Sequence, residues 1–367
     1  MKRSLLVLIC LVMFPLLAFS GCSGDNSSGS GGAKRRKPFF SMGTSPLGGT
    51  FQVVGDALCQ VLNEKLQAQR MKFQAKATKG SRENIRRLDR GELELAIANS
   101  SITYFAVRGQ KPWDRPYQVR TVMTLAPNVI MLLTLKDSGI KTIPDIKGKR
   151  VVVGPAGAGF EMFLGPLLAE HGVTYDDFQP LNNNQAGAVD MLGDGSADVI
   201  CLGGVIPSGT IARACTTYDI HFIPFDPEAC NRLVQKYPFF HHIVVPGGTY
   251  PDLPDDFPAL NVGSMHVITG KEMDADTVYL ITKTLYEQRE AVLKRHPVGK
   301  FINPQNAPSY TGTPFHPGAI RFYREQGIWP PENITNGATP PEAEAQPPGA
   351  NTTAPLDLPP VDPLPRD

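Results

Sequence analysis

The chain is constrained most by an arrangement that occurs twice. An apolar run of strand length, Phe39 to Met42, enters the glycine-rich turn Gly43-Thr44-Ser45-Pro46-Leu47-Gly48-Gly49. A helical pattern follows from Thr50 to about Gln67, with Phe51, Val54, Leu58, Val61 and Leu62 on one face. Later, Val151 to Val153, the turn Gly154-Pro155-Ala156-Gly157-Ala158-Gly159 and a helix from Phe160 to His171, closed by Gly172, repeat the order. A strand that feeds a helix through a short turn predicts parallel α/β sheets, whose ligand sites lie outside the carboxyl ends of the strands. Two such units predict two α/β lobes with a cleft and a hinge between them.

The remaining segments fill out that plan. Asn84 to Arg90 reads as a short helix, and Leu93 to Ala98 as a strand ending at Asn99-Ser100-Ser101, with a helix starting near Ile102. Ala186 to Leu192 reads as a helix and Asp198 to Leu202 as a strand, after which Gly203-Gly204-Val205-Ile206-Pro207 leads into another helix. Crossings between lobes are expected near Val129 to Leu135 and near Asn261 to Thr269. Asp276 to His296 reads as one long amphipathic helix returning to the first lobe. The expected division is residues 38–130 plus 263–330 for lobe I and 131–262 for lobe II.

A glycine turn that opens a helix presents unpaired backbone amides and the positive helix end, which favour a carboxylate or phosphate. Two facing turns would hold a diacid. Each turn alone is equally compatible with a structural role in which Gly supplies a positive φ. A helix end contributes about 0.3–1 kcal/mol, whereas micromolar affinity needs about 8 kcal/mol. Most of the affinity must therefore come from adjacent donors, here Thr44, Ser45, Thr50, Asn99, Ser100 and Ser101, and from exclusion of water. Gly154-x-x-Gly157-x-Gly159 reverses the G-x-G-x-x-G order of dinucleotide sites. No G-x-S-x-G elbow or Walker loop occurs, and Cys201 reads as a buried strand residue, so a non-enzymatic role is expected, with no catalytic residue and no cofactor.

Both ends of the chain read as lying outside the globular core. Lys2 and Arg3 followed by the apolar stretch Leu5 to Ala18 read as an export signal over residues 1–21, too short to span a membrane as a helix. Phe19-Ser20-Gly21-Cys22 resembles the lipobox of bacterial lipoproteins, which makes Cys22 the expected lipidated residue; plain secretion with Cys22 a bystander is the other reading. Residues 22–37 read as a flexible tether and 331–367, rich in Pro, as an extended tail. A net charge of +1 gives no footprint for nucleic acid. The spacing of His and Cys predicts no metal site, and of the exported cysteines Cys215 and Cys230 are the favoured disulfide.

In this order the segments resemble the TAXI family of solute receptors, which serve TRAP-type (tripartite ATP-independent periplasmic) transporters. The resemblance is carried by Gly43-Thr44 through Gly48-Gly49-Thr50-Phe51, by Thr78-Lys79-Gly80-Ser81-Arg82-Glu83-Asn84, and by Asp145-Ile146-Lys147-Gly148-Lys149-Arg150-Val151. It extends through Gly203-Gly204-Val205-Ile206-Pro207, Gly247-Gly248-Thr249-Tyr250-Pro251 and Phe315-His316-Pro317-Gly318-Ala319. It implies a two-lobed periplasmic-binding-protein fold of type II-like organisation, monomeric, lipid-anchored outside the cytoplasmic membrane. It further implies a glutamate- or dicarboxylate-like ligand, no cofactor, and a TRAP membrane permease as partner. An orphan lipoprotein sensor or scaffold, or an enzyme on the same fold, are the alternatives. The family's site maps onto Thr44, Ser45, Gly48, Gly49, Thr50 and Phe51, onto Asn99, Ser100 and Ser101, and onto Ala156, Gly157, Ala158, Gly159 and Phe160, with Gly203 and Gly204 bordering the cleft.

Overall fold

The computed structural model of the chain describes residues 39–47 and 49–329. The expected signal, the anchor Cys22, the tether, the turn residue Gly48 and the Pro-rich tail lie outside the described residues. Two sheets carry the fold. The first is built from β1 (Phe39–Gly43), β2 (Lys72–Lys76), β3 (Leu95–Asn99), β4 (Val119–Thr124) and the late strand β12 (Met265–Gly270), in the order β2-β1-β3-β12-β4. The second runs β10-β11-β5-β8-β6-β7, from β5 (Val129–Leu135), β6 (Arg150–Val152), β7 (Gln179–Leu181), β8 (Val199–Gly204), β10 (Phe240–Val245) and β11 (Phe257–Val262), with β9 (Ile220–Ile223) pairing β5.

Strands that feed helices pair in parallel: β1 with β2 and β3, β6 with β7 and β8. The expectation of wholly parallel sheets is corrected at β5, β11 and β12, which pair antiparallel and make both sheets mixed. The reason is direction: the chain leaves the first sheet at 125–128 and returns to it at 263–264, so the run β4–β5 lies beside the run β11–β12 in the opposite sense. These two passages bond to each other. Leu125 N donates to Met265 O (2.7 Å), Met265 N to Ala126 O (2.8 Å), and Val262 N to Asn128 O (2.9 Å). The Asn261 side chain accepts from the amides of Asn128 (3.0 Å) and Gly263 (3.2 Å).

Among the described residues ten α-helices cover the sheets: α1 (Thr50–Lys65), α2 (Ser81–Asp89), α3 (Ser100–Arg108), α4 (Glu161–Glu170), α5 (Gln185–Gly193), α6 (Gly209–Thr217), α7 (Pro227–Lys236), α8 (Ala275–Glu287), α9 (Arg289–Leu293) and α10 (Pro317–Glu325). The expected single helix from Asp276 to His296 is broken at Gln288 into α8 and α9. Its apolar periodicity continues across the break, because Leu285 and Val292 both enter the same core, so the pattern could not show the bend. On one face of the first sheet Phe40, Met42, Leu95, Ile97 and Val267 pack on α1, α8 and α10. Ala96, Ala98 and Ile268 on its other face meet α2 and α3, and that cluster runs on without interruption through α4 into the second sheet.

Side chains of β5 alternate between the two faces of the second sheet. Val129, Met131 and Leu133 face α5 and α6, while Ile130 and Leu132 belong to the cluster that holds α4 and α7. Cys215, on α6, therefore sits on one face and Cys230, on α7, on the other. The expected disulfide between them is corrected: Cys59, Cys201, Cys215 and Cys230 are all free, buried thiols. Burial raises each of them, Cys59 to about 12 and Cys215 and Cys230 to about 11.

A buried polar network fixes the start of α3 against the first sheet. Thr103 Oγ1 donates to Ser100 O (3.0 Å) and accepts from Thr313 Oγ1 (2.8 Å). Its lone proton is thereby committed, which assigns the proton between it and His266 to Nε2, at 3.0 Å. His266 Nδ1 then faces Thr121 Oγ1 at 3.4 Å. Burial holds this imidazole neutral, with its pKa pushed from 6.5 down to about 3. The unfolded chain therefore binds a proton at His266 that the native state refuses, and stability is lost as pH falls from about 6.5 towards 3. At roughly 1.4 kcal/mol per pH unit the full loss is about 5 kcal/mol. His266→Gln should flatten the dependence of urea stability on pH between 6.5 and 4; an unchanged slope would show that the residue does not titrate in this way.

Candidate functional site

Among the described residues six helices follow the carboxyl ends of parallel strands: α1 after β1, α2 after β2, α3 after β3, α4 after β6, α5 after β7 and α6 after β8. The turn from β1 to α1 is held by Thr44, which is fully buried. Its Oγ1 donates to Lys76 O (2.8 Å) and also bonds the Gln52 side chain. Its carbonyl accepts from Thr78 Oγ1 (3.1 Å) and Asn84 Nδ2 (2.7 Å). Ser45 Oγ accepts from Gln52 N (3.2 Å) inside the same turn. Asn99 caps α3 by accepting from Ser101 N (2.8 Å) and ties β3 to the sheet passage by donating to Gly263 O (2.9 Å). Ser101 Oγ donates to Asn99 Oδ1 (2.5 Å). Thr44, Ser45, Asn99 and Ser101 thus spend their side chains on shaping the turns. Ser100 differs: its hydroxyl is fully buried and has no partner among the described residues.

The structure brings turns from the two sheets into contact at two places. At the first, a Cβ placed on Gly204 (φ +139°) would lie 3.5 Å from Thr50 Oγ1, and Val205 packs with Phe51 on the core of the first sheet. At the second, Gly159 (φ +97°) presses on α2 and α3, so that a Cβ there would lie 2.9 Å from Ile102 Cδ1 and 3.1 Å from Arg82 Cγ. Ala158 comes within about 4 Å of the Cβ position of Gly80, the residue that opens α2. Ala156 and Gly157 at the tip of this turn are exposed, with open space beside Gly157, and Phe160 half-buries itself against Phe163. Gly203 faces the other way, into the backbone of Val129 and Ile130, and is a packing residue of β8.

The second contact carries an ion pair that the sequence did not single out. Arg82 Nη1 lies 3.0 Å from Glu161 Oε1, with side chains only 5% and 16% exposed. It links the first turn of α2 to the first residue of α4. Burial lowers the Arg82 pKa against the opposing pull of Glu161, and burial raises that of Glu161 against the pull of Arg82. The Arg82 Nε–H is buried without a partner among the described residues, as is the Tyr175 hydroxyl, which burial pushes up and the Glu161 charge pushes further. In the sequence Arg82 is one of several arginines on an otherwise exposed-looking helical face, and nothing local distinguishes it from Arg86 or Arg87.

One further surface bears on chemistry. An open cleft of about 300 Å³ lies beside the sheet passages, lined in part by His241, His242, Asn261, Ser264, Ser309 and Thr311, and includes none of the expected site residues. Among the described residues no group of three or more His, Cys, Asp or Glu side chains is placed to hold a metal, and no helix is long and apolar enough to cross a membrane. If the turn contacts set the closeness of the sheets, Gly159→Val, which adds bulk at 2.9 Å from Ile102 and strains a positive φ, should enlarge the radius of gyration in small-angle scattering. A scattering curve identical to that of the native protein would show that the turns do not set this distance.

Comparison with known proteins gives one family and many structures. Solved structures similar to this chain include the alkanesulfonate-binding protein SsuA from Xanthomonas axonopodis pv. citri bound to MOPS (15% identity; 83% of this chain and 85% of that one; TM-score 0.45). They also include the periplasmic aliphatic sulphonate binding protein SsuA from Escherichia coli (15%; 80% and 84%; 0.42) and the P235GK mutant of ArgBP from T. maritima (14%; 71% and 93%; 0.41). The family match extends over residues 42–327, from the first strand to the end of the last helix, and the chain belongs to the NMT1-like family.

Proposed function

We propose that the chain is an extracytoplasmic receptor that captures a small organic acid or amino acid, glutamate- or dicarboxylate-like, and delivers it unaltered to a membrane permease. The carrying observation is the meeting of helix starts from two separate sheets: α2 and α3 on one side and α4 on the other, with the Thr50–Gly204 contact beside them. Helix starts concentrate amide donors and positive potential, so their junction suits an anion. The paired passages at 125–128 and 262–265 supply a short, hydrogen-bonded connection about which the two sheets can rotate as lobes. A TRAP-type permease as the partner and lipidation at Cys22 as the anchor rest on the sequence resemblance. The four described cysteines are unsuited to thiolate chemistry, since all are buried and burial raises their pKa values.

Glutamate, succinate and 2-oxoglutarate in excess should raise the melting temperature. An acid present at 100 times its dissociation constant stabilises by about 2.7 kcal/mol, a shift of several degrees. The acid should be recovered chemically unchanged, and Cys22→Ala should release the protein from membranes. No stabilisation by any small acid, or conversion of the bound one, would overturn the receptor reading.

A further inference from the structure

Arg82 has two features that a structural ion pair does not require. Among the described residues its guanidinium meets Glu161 through Nη1 alone, by one hydrogen bond of 3.0 Å, and its buried Nε–H has no acceptor. A guanidinium offers five donors in a rigid fork, and the edge formed by Nε and Nη2 matches the two oxygens of a carboxylate or sulfonate. A buried donor left unmade is costly, so native proteins satisfy such groups with protein, water or ligand. A second buried donor lies in the same junction. Asn99 N donates to Ser81 Oγ (3.0 Å), which clamps the start of α2 to the start of α3; Arg82 and Ser100 are the next residue along on each side, and Ser100 Oγ has no partner. Across from them, Gly159 brings its backbone against the Arg82 stem, where any side chain would collide.

We propose that Arg82 recognises the oxyanion of the captured solute, receiving a carboxylate or sulfonate on its Nε edge beside Ser100, while Glu161 holds the guanidinium in orientation through Nη1. The assignment rests on the receptor reading and names the side chain that gives the site its preference for acids. Two anions then share one cation. Glu161 fixes the fork and at the same time repels the solute, so the two partners of the ion pair act on affinity with opposite sign.

The experiment is calorimetric titration of the full chain with succinate, glutamate and ethanesulfonate, whose separate arms distinguish carboxylate from sulfonate. For whichever probe the native protein binds, Arg82→Gln should weaken affinity by roughly a hundredfold, and Arg82→Lys, which keeps the charge and loses the fork, by roughly tenfold. Glu161→Gln, which keeps an acceptor for Nη1 and removes the repelling charge, should tighten binding by about threefold to tenfold. A merely structural pair would behave otherwise: melting temperatures would fall in both variants while affinity stayed constant or dropped in parallel. Native binding with unchanged affinity in folded Arg82→Lys, or weaker binding in Glu161→Gln, would overturn the role of Arg82 and leave the receptor reading standing. Failure of the native protein to bind any of the three probes would overturn both.

Discussion

A helix cannot satisfy its first amide donors with its own carbonyls, and in this fold that constraint is concentrated at one junction. Strands β1, β2, β3 and β6 each end at a turn that opens a helix, because a parallel strand has to be followed by a crossover. Some of the donors created in this way are absorbed locally. Asn99 caps α3, Ser45 takes an amide of α1, and Thr44 knits its turn to the neighbouring turn through Lys76, Thr78 and Asn84. Where α2, α3 and α4 approach one another, the buried Arg82 Nε–H and Ser100 hydroxyl have no partner among the described residues.

The pairing of Arg82 with Glu161 cannot be valued as a stabilising contact. Removing two charges from water costs several kcal/mol per ion, and the attraction recovered in a low-dielectric interior commonly no more than offsets it. The pKa directions agree: burial is the leading cause at both residues and opposes the charged form in each. Such a pair specifies geometry more than it adds stability. It sets α2 against α4 in one relation, at the place where the backbones of Gly80, Ala158 and Gly159 are close enough for a wrong relation to produce a clash.

Much of the fold was legible in the sequence, and less of the site. Strand β1, helix α1 and helix α4 fall within a residue or two of where apolar periodicity put their start, because each is long enough to show its period and has glycine beside it. Strand β2, Lys-Phe-Gln-Ala-Lys, escaped: only Phe73 is fully buried, at an edge, so its residues read as polar. The helix break at Gln288 escaped because it preserves amphipathicity. At the site, spacing could locate the turns but not how each donor is spent. Thr44, Asn99 and Ser101 are chemically as suited to a ligand as Ser100, and only their partners separate them. Arg82 and Glu161 stand 79 residues apart on different sheets. No local pattern can join them, since their meeting is a product of topology.

The same topology determines what opening the cleft would involve. Alongside the ion pair, Tyr104 and Phe105 of α3 pack on Phe239 of the second sheet's side, with ring centroids 5.1 and 5.9 Å apart, and the apolar cluster of α3 continues into α4. Aromatic contacts of this kind contribute about 0.5–1.5 kcal/mol each beyond the area they bury. They hold across a range of orientations, whereas a bond from Nη1 to a single carboxylate oxygen does not. Rotation about the paired passages therefore meets two different resistances: a broad apolar one that slides, and a narrow polar one that breaks. On the reading proposed above, an acid at the spare edge of Arg82 would bear only on the second, and because it would share the cation with Glu161 it would loosen that bond. Its binding would be felt as a change in how sharply the closed geometry is defined, more than as a large gain in the contact that keeps the sheets together.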